Sequence, residues 1–394
     1  MNLTPATILP QDAAQATLIG RAHVPGNPGG PSPVLIEPDN VYDLSSVAPT
    51  CAELLSRADV LEAVRSARNK PIGKLVDMLA NSGFDQRDNM LPYFLAPCDL
   101  QTVKACGVTF VSSMLERVIE EQAKGDLKLA DTIRKSLGDE IGASIASVKP
   151  GSPEAMRVKE SLVKRNLWSQ YLEVGIGPDA EVFTKAQPMS AVGVGAEVGI
   201  HPASAWNNPE PELVMVVNPR GDIIGAALGN DVNLRDFEGR SALLLGRGKD
   251  NNGSCAIGPF IRLFDKHFSL NDARETKIEI EVVGEDGFKL QGVSDLTKIS
   301  RDIADLVAQT INIHHQYPDG LMLFLGTMFA PIQDRGAPGQ GFTHKLGDTV
   351  TIRAPRLGAL VNRVNHTDKI PPWNFGSQAL FRNLAERGLL AAHR

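Results

Sequence analysis

Cysteine, aromatic residues, basic clusters and long apolar runs are all scarce in this chain. Only four of its 394 residues are cysteines, Cys51, Cys98, Cys106 and Cys255, and their spacing pairs none of them. That excludes a secreted disulfide scaffold and a cysteine zinc cluster, and leaves buried thiols in a reducing cytosol as the expectation. Aromatics make up 5% of the residues, no basic run carries interleaved aromatics, and the net charge is −6. Nucleic-acid binding is therefore not expected. The most apolar short run, Leu321 to Leu325, is far too brief to span a bilayer. Met1 to Gly20 has no basic residue and carries Asp12, unlike a signal peptide. A cytoplasmic location without a membrane partner is expected.

Two glycine-rich stretches also lack what their likeness would need. Gly193-Val194-Gly195-Ala196-Glu197-Val198-Gly199 has one residue too many for a dinucleotide fingerprint and lies among strand-like residues. Gly246-Arg247-Gly248-Lys249-Asp250 has neither the upstream glycine nor the Ser/Thr of a phosphate loop. Neither supports nucleotide binding.

The chain is long enough for a large core or two domains, and its character changes along its length. Thr17–Val24 and Val34–Val41 read as a hairpin around Gly26 to Pro31. Ala52 to Ala67, Ile72 to Asn81, Val111 to Gln122 and Asp126 to Leu137 have helical spacing. Ser152-Pro153-Glu154 opens a further helix, running to about Tyr171, with Ser152 as N-cap. After Gly175 strand-like runs dominate, among them Glu181–Thr184, Ala191–Val198, Glu212–Val217, Ile223–Leu228, Lys277–Val283 and Thr349–Arg353. Helices are expected there only at about Leu296–Asn312 and Gly376–Leu390. The reading is an α+β chain, with an N-terminal α/β region over 1–104 and a β-rich catalytic region over 105–394. The boundary between them falls within 100–150.

Glu210-Pro211-Glu212 is the most informative stretch. Residues i and i+2 of a strand point to the same face, so the two glutamates project together. Asn218 to Gly221 reads as a tight turn, and antiparallel return brings Asp231 opposite Glu210. Three carboxylates then meet at the mouth of one hairpin, where each resists ionisation beside the others. An oxygen-preferring divalent cation removes that conflict, and Mg²⁺ suits a site with few carboxylates and room for substrate. Taken alone, the same residues also suit an exposed acidic strand end.

Taken as an ordered set, Phe183-x-Lys185, Glu210-x-Glu212, Asn230-Asp231-x-x-x-Arg235-Asp236, Lys249, Ala256-Ile257-Gly258-Pro259, Gly347-Asp348-x-Val350 and Gly358-x-Leu360-x-Asn362 resemble the fumarylacetoacetate hydrolase family. The resemblance spans roughly residues 105–365. It implies a mixed β-sandwich roll, a Mg²⁺ (or Mn²⁺) site made by Glu210, Glu212 and Asp231, and chemistry on a small 2-keto acid. It also implies a homo-oligomer, a dimer or tetramer. One departure is informative. Family hydrolases and decarboxylases carry a His and a Glu that activate water, and here Gly107 to Glu116 places Ser113 where that histidine stands and keeps only Glu116. A serine hydroxyl is no general base near neutral pH.

The segment around Glu181, the preceding Trp168 to Tyr171 and the long N-terminal region resemble the 2-keto-3-deoxy-pentonate dehydratases of this family. That branch implies an acid at Glu181 beside the metal, Lys249 near the substrate, and Thr327 near its carboxylate. Ser113 and Glu116 fall at substrate-facing positions. Arg235 is either a substrate contact or the partner of Asp236. The implied reaction removes water from a 2-keto-3-deoxy-pentonate to give 2-oxoglutarate semialdehyde through a metal-stabilised enolate. Lys249 and Glu181 are then the acid and base, in an order the sequence leaves open, and a lowered Lys249 pKa would make its amine available. The alternative is a hydrolase or decarboxylase of the same family acting on a diketo acid.

Overall fold

Leu213 to Val217 is apolar at every position, a pattern that suits a strand covered on both faces. All seven residues of the strand Pro211–Val217 are indeed buried. The computed structural model describes residues 1–68, 71–124, 129, 132–133, 145, 148–164, 168–336 and 341–390. Among them the strands are, in chain order, β1 (Leu18–Val24), β2 (Gly30–Ile36), β3 (Asn40–Asp43), β4 (Pro71–Lys74), β5 (Tyr93–Leu95) and β6 (Thr102–Gly107). After the helical segment follow β7 (Glu181–Ala186), β8 (Glu197–Ile200), β9 (Asn207–Asn208), β10 (Pro211–Val217), β11 (Ile223–Asp231) and β12 (Asn233–Leu234). The last six are β13 (Cys255–Leu263), β14 (Lys277–Val283), β15 (Lys289–Asp295), β16 (Leu321–Phe324), β17 (Thr349–Ala354) and β18 (Gly358–His366).

The large sheet runs β4-β3-β2-β1-β13-β11-β10-β16-β6-β7, with β5 beside β1. A second sheet runs β15-β14-β17-β18-β8, and β12 pairs with β9. Leu213, Met215 and Leu228 of the large sheet share one apolar cluster with Ile280, Ile352 and Leu360 of the second. The two sheets thus pack face to face, and the expected α+β sandwich roll is what forms. On the opposite face Val214, Val216 and Ala227 pack with Leu54, Leu55 and Val64 from two N-terminal helices. Among the described residues no helix is long and apolar enough to cross a membrane.

β1 pairs directly with β13, Leu18 opposite Arg262 and Ile19 opposite Ile261. The large sheet therefore runs across the division at 104 and 105 drawn from the sequence. Several other elements differ from expectation. The helix expected over Ala52–Ala67 is two, Cys51–Ser56 and Val60–Ser66, because Arg57 leaves the helical region at ψ 137°. Gly73 and Lys74 pair with Val41 and Asn40 of β3 before the next helix, Leu75–Ser82, begins. The Ala191–Val198 stretch turns, with Gly195 at φ +81°, and becomes strand only at Glu197. The helix at Leu296–Asn312 is shortened to Ile303–Thr310 after one 3-10 turn.

The helix Val111–Ala123 and the helix opened by Ser152 form as expected, and the Ser152 hydroxyl accepts from Ala155 N at 3.1 Å. The latter is described to Lys164, and a separate helix, Gln170–Ile176, starts after the Ser169 cap. Most of the helix expected over Asp126–Leu137 lies outside the described residues.

Asp99, just ahead of β6, holds the N-terminal helices to this frame. Its buried carboxylate accepts from Cys51 N at 2.6 Å, Ala52 N at 2.9 Å and Leu100 N at 2.8 Å. Asp99→Ala should strand the Cys51 and Ala52 amides away from water and lower stability by about 2–4 kcal/mol. Urea denaturation followed by circular dichroism measures this, and an unchanged midpoint would contradict it.

Candidate active site

The turn at Asn218 closes as its sequence requires. Asn218 Oδ1 accepts from Arg220 N at 2.9 Å and Asp222 N at 3.1 Å, and Gly221 N donates to Asn218 O at 3.0 Å. From there β10 and β11 pair in a register that sets Glu212 opposite Gly229 and Pro211 opposite Asn230. At the open end Asp231 N donates to Glu210 O at 3.0 Å. Glu210, Glu212 and Asp231 are all buried, and a carboxylate oxygen from each lies within 4.8 Å of the others. The convergence expected from the sequence is present.

Burial raises the Glu212 carboxyl well above the ordinary range, and repulsion from Asp231 and Glu210 adds to it. Its partner on the protein is Gly326 N, which donates at 2.6 Å. Glu210 is also raised, first by burial and then by Asp231, against the opposing pull of Lys249 and Arg117. For Asp231 burial acts upward, but the ammonium groups of Lys185 and Lys249 outweigh it and hold the group low.

Lys249 ends a short helix, Leu245–Lys249. Its Nζ lies 2.5 Å from Glu210 Oε2, 3.0 Å from Asp231 Oδ2 and 3.7 Å from Glu238 Oε1. The Phe183 ring lies 5.7 Å from the same Nζ. The lowered pKa expected from the sequence was for a lysine beside a cation; in the protein alone the carboxylates act on it directly. Burial disfavours the ammonium, yet Asp231, Glu210 and Glu238 prevail and raise the pKa above its ordinary value.

Glu181 opens β7 and lines the same cleft as the three ligands, Lys249, Ser113 and Thr327. Its pKa is raised, first by burial and also by Glu238 and Glu210, against Arg117 and Lys249. Opposite it on β6 stands Gly107, where an added Cβ would lie 1.8 Å from Glu181 Oε2. The close approach of this acid therefore requires glycine. Ser113 faces the cleft with its hydroxyl committed to the start of its helix, donating to Phe110 O at 2.8 Å and accepting from Phe110 N at 3.3 Å. Thr327 Oγ1 accepts from Phe329 N at 3.1 Å.

Glu116 and Arg235 are not brought to the cleft. Arg235 Nη2 lies 3.4 Å from Glu116 Oε2, and the guanidinium stacks 4.4 Å from the Trp206 ring centre. Asp236 instead accepts from Ser204 Oγ at 2.8 Å and Ala205 N at 2.9 Å. Three residues at or behind the cleft were given no role in the sequence reading, although Lys185 stood in the Phe183-x-Lys185 motif. Lys185, fully buried, lies 2.8 Å from Asp231 Oδ1 and donates to the Lys249 carbonyl. Arg117 contacts Glu238 and lies 3.3 Å from Glu210 Oε1. Spacing offered the signal for each: Lys185 shares a strand face with Glu181, Arg117 follows Ser113 by one helical turn, and Glu238 follows Arg235 by nearly one.

Five carboxyl groups, Glu181, Glu210, Glu212, Asp231 and Glu238, thus meet three cations, Arg117, Lys185 and Lys249. Among the described residues the acids of the site outnumber the bases by two, and oxygens of three of them converge. A hard divalent cation fits this all-oxygen donor set, with Glu210, Glu212 and Asp231 as its ligands.

Residues 163–365, just over half of the chain, match the Fumarylacetoacetate (FAA) hydrolase C-terminal family. The chain therefore belongs to the fumarylacetoacetate hydrolase family. Within it, the chain is 31% identical over 190 residues to the 2-dehydro-3-deoxy-D-arabinonate dehydratase of Saccharolobus solfataricus, covering 48% of this chain and 60% of that one. It is 29% identical over 194 residues to the probable 2-keto-3-deoxyxylonate dehydratase of Haloferax volcanii, covering 49% and 63%. The match thus spans less than two thirds of either curated relative. A solved 2-keto-3-deoxy-D-arabinonate dehydratase complexed with magnesium and 2,5-dioxopentanoate shares the fold, with TM-score 0.58, 20% identity, and coverage of 89% of this chain and 99% of that one. A fumarylacetoacetate hydrolase from Exiguobacterium antarcticum aligns at TM-score 0.53 and 17% identity, covering 89% and 100%.

Replacing Glu212 with Ala should abolish Mg²⁺ binding in isothermal titration while leaving the circular dichroism spectrum intact, since apolar strands define the hairpin. Undiminished Mg²⁺ binding by Glu212→Ala would remove this residue from the ligand set.

Proposed function

We propose that this chain is a Mg²⁺-dependent hydro-lyase that converts a 2-keto-3-deoxy-pentonate to 2-oxoglutarate semialdehyde, which is 2,5-dioxopentanoate. The observation that carries the reading is the meeting of Glu210, Glu212 and Asp231 with Lys249 and Glu181 in one cleft. The dehydratases similar to this chain over about half its length support the same substrate class.

When bound, the cation supplies positive charge for the negative charge that develops on the C2 oxygen as a C3 proton leaves. Glu181, whose carboxyl burial makes a stronger base than an exposed one, takes that proton. Lys249, held as an ammonium by its carboxylate neighbours, gives a proton to the C4 hydroxyl as the C4–O bond breaks and water departs. The C3–C4 double bond left behind is conjugated with the ketone. Loss of a C5 proton and return of a proton at C3 move it to the C5 enol, which ketonises to the aldehyde. Lys185 positions both Asp231 and the Lys249 backbone during these transfers. Ser113, with its hydroxyl bound to Phe110, is not available to activate water. That favours dehydration over the hydrolase alternative.

Incubating the protein with Mg²⁺ and a 2-keto-3-deoxy-pentonate should yield a product lighter by one water, with oxaloacetate and acylpyruvates left intact in parallel. Robust cleavage of either, with no water lost from the sugar acid, would sink the dehydratase reading and favour the hydrolase or decarboxylase one.

Lys249→Met keeps much of the aliphatic volume and removes the titratable amine. Its kcat should fall about 10²–10⁴-fold, the range for loss of a general acid or base. A raised KM with unchanged kcat would assign Lys249 to uniform substrate binding instead.

A further inference from the structure

A second cavity, of about 450 Å³, opens between β1, β5 and the loop ahead of the C-terminal helix. It falls within the 300–1,000 Å³ range of small-ligand pockets, and none of its lining residues lines the carboxylate cleft. Its lining has a one-sided charge. Arg21 and Arg87 face it, with His23, whose pKa burial lowers, and among the described residues not one aspartate or glutamate does, although acids outnumber bases in the chain.

The two arginines differ in how they are satisfied. Arg21 donates to Cys98 O at 3.3 Å and has Asp99 at 4.0 Å, so a neighbouring carboxylate shares its charge. Among the described residues no carboxylate is paired with Arg87. One Nη donates to Ser82 O at 2.9 Å, the guanidinium stacks 4.6 Å from the Tyr93 ring centre, and its Nε is buried with no partner. A guanidinium offers five N–H donors in one plane, and most of this fork is left for something else. Burial lowers the Arg87 pKa, against a smaller opposing effect of Tyr93, as expected for a cation without a counter-charge.

The other property of the cavity is its flat aromatic surface. His23 stacks on Tyr93 with ring centres 4.9 Å apart and planes 22° off parallel. Trp373 and Phe375 enter from the loop near the C-terminal helix, and Trp373 Nε1 donates to Phe375 O at 3.2 Å, which fixes the indole. Trp373 remains 47% exposed. An uncompensated planar cation stacked on an aromatic ring, beside further aromatic faces, suits a ligand that is itself flat and anionic.

We propose that this cavity is a second small-molecule site, which takes an organic anion built on a planar ring, its carboxylate or phosphate on Arg87 and its ring beside Trp373 and Phe375. The inference does not depend on the reaction assigned to the carboxylate cleft.

Titration of the full chain with benzoate and with phenyl phosphate tests it, read by calorimetry and by tryptophan fluorescence. Benzamide removes the charge and cyclohexanecarboxylate removes the planarity. Both aromatic anions should bind at millimolar concentration and quench fluorescence, and both controls should bind more weakly. Arg87→Met should weaken benzoate at least about tenfold, or ~1.4 kcal/mol. Trp373→Leu, at an exposed position that folding does not need, should lose the quenching. Glu212→Ala should bind benzoate as the unaltered chain does, which separates this cavity from the metal cleft. Absence of binding by both anions, equal binding of benzamide, or undiminished binding by a folded Arg87→Met protein would each overturn the proposal.

Discussion

Five acidic side chains enclosed with only three basic ones is the constraint from which the rest of the site follows. Unlike charges cannot be removed from water cheaply, and like charges less so. The fold answers in stages. Lys185, wholly buried, spans Asp231 and the Lys249 carbonyl, so one ammonium fixes a ligand and the end of a neighbouring helix together. Lys249 then lies between Glu210 and Asp231, and Arg117 between Glu210 and Glu238. Among the described residues Glu212 receives a backbone N–H, from Gly326, and no cation at ion-pair distance. The raised Glu212 carboxyl is the residue of that imbalance, and a divalent cation is the species whose charge resolves it.

The strands make this imbalance tolerable by making it rigid. Glu212 is carried by β10, with Glu210 immediately ahead of it, and Asp231 ends β11, both strands central in the large sheet and covered on two faces. Their apolar side chains contribute the burial that offsets the cost of enclosing the acids, at about 25 cal/mol per Å². Because strand side chains alternate strictly, Glu212 shares a face with Val214 and Val216, and a one-residue slip of β10 would turn both glutamates toward the second sheet. The convergence of the three carboxylates and the core packing therefore specify the same register.

That coincidence explains what the sequence made legible. The hairpin could be read because its ligands, turn and apolar runs lie within about twenty residues and follow local rules. Glu181 was placed through resemblance, and its Gly107 neighbour needed the β6–β7 pairing to be recognised. Arg117 and Glu238 are more than a hundred residues apart, and their contact depends on how two helices cross, which no local pattern records. Lys249 was read without its carboxylate neighbours for a related reason. Its sequence neighbours suggest a solvated glycine-rich loop, while its spatial neighbours are three carboxylates. Helices were overextended where a single residue, such as Arg57, turns away, since periodicity carries across a break that backbone geometry does not.

The same geometry bears on how one family scaffold separates reactions. A hydrolytic site needs a base that holds water against the substrate, and the position resembling that base is Ser113. Its hydroxyl both donates to and accepts from the Phe110 backbone, so it stabilises the first turn of its helix. Glu116, which would have partnered the base, lies against Arg235 beside Trp206. Both members of the water-activating pair thus have structural employment elsewhere, while Glu181 and Lys249 remain in the cleft with the metal ligands. A scaffold that keeps the cation and exchanges the proton-handling groups around it keeps its power to acidify a carbon next to a ketone. What changes is whether the resulting charge expels a hydroxyl or awaits attack by water. In this chain the groups that stay support expulsion.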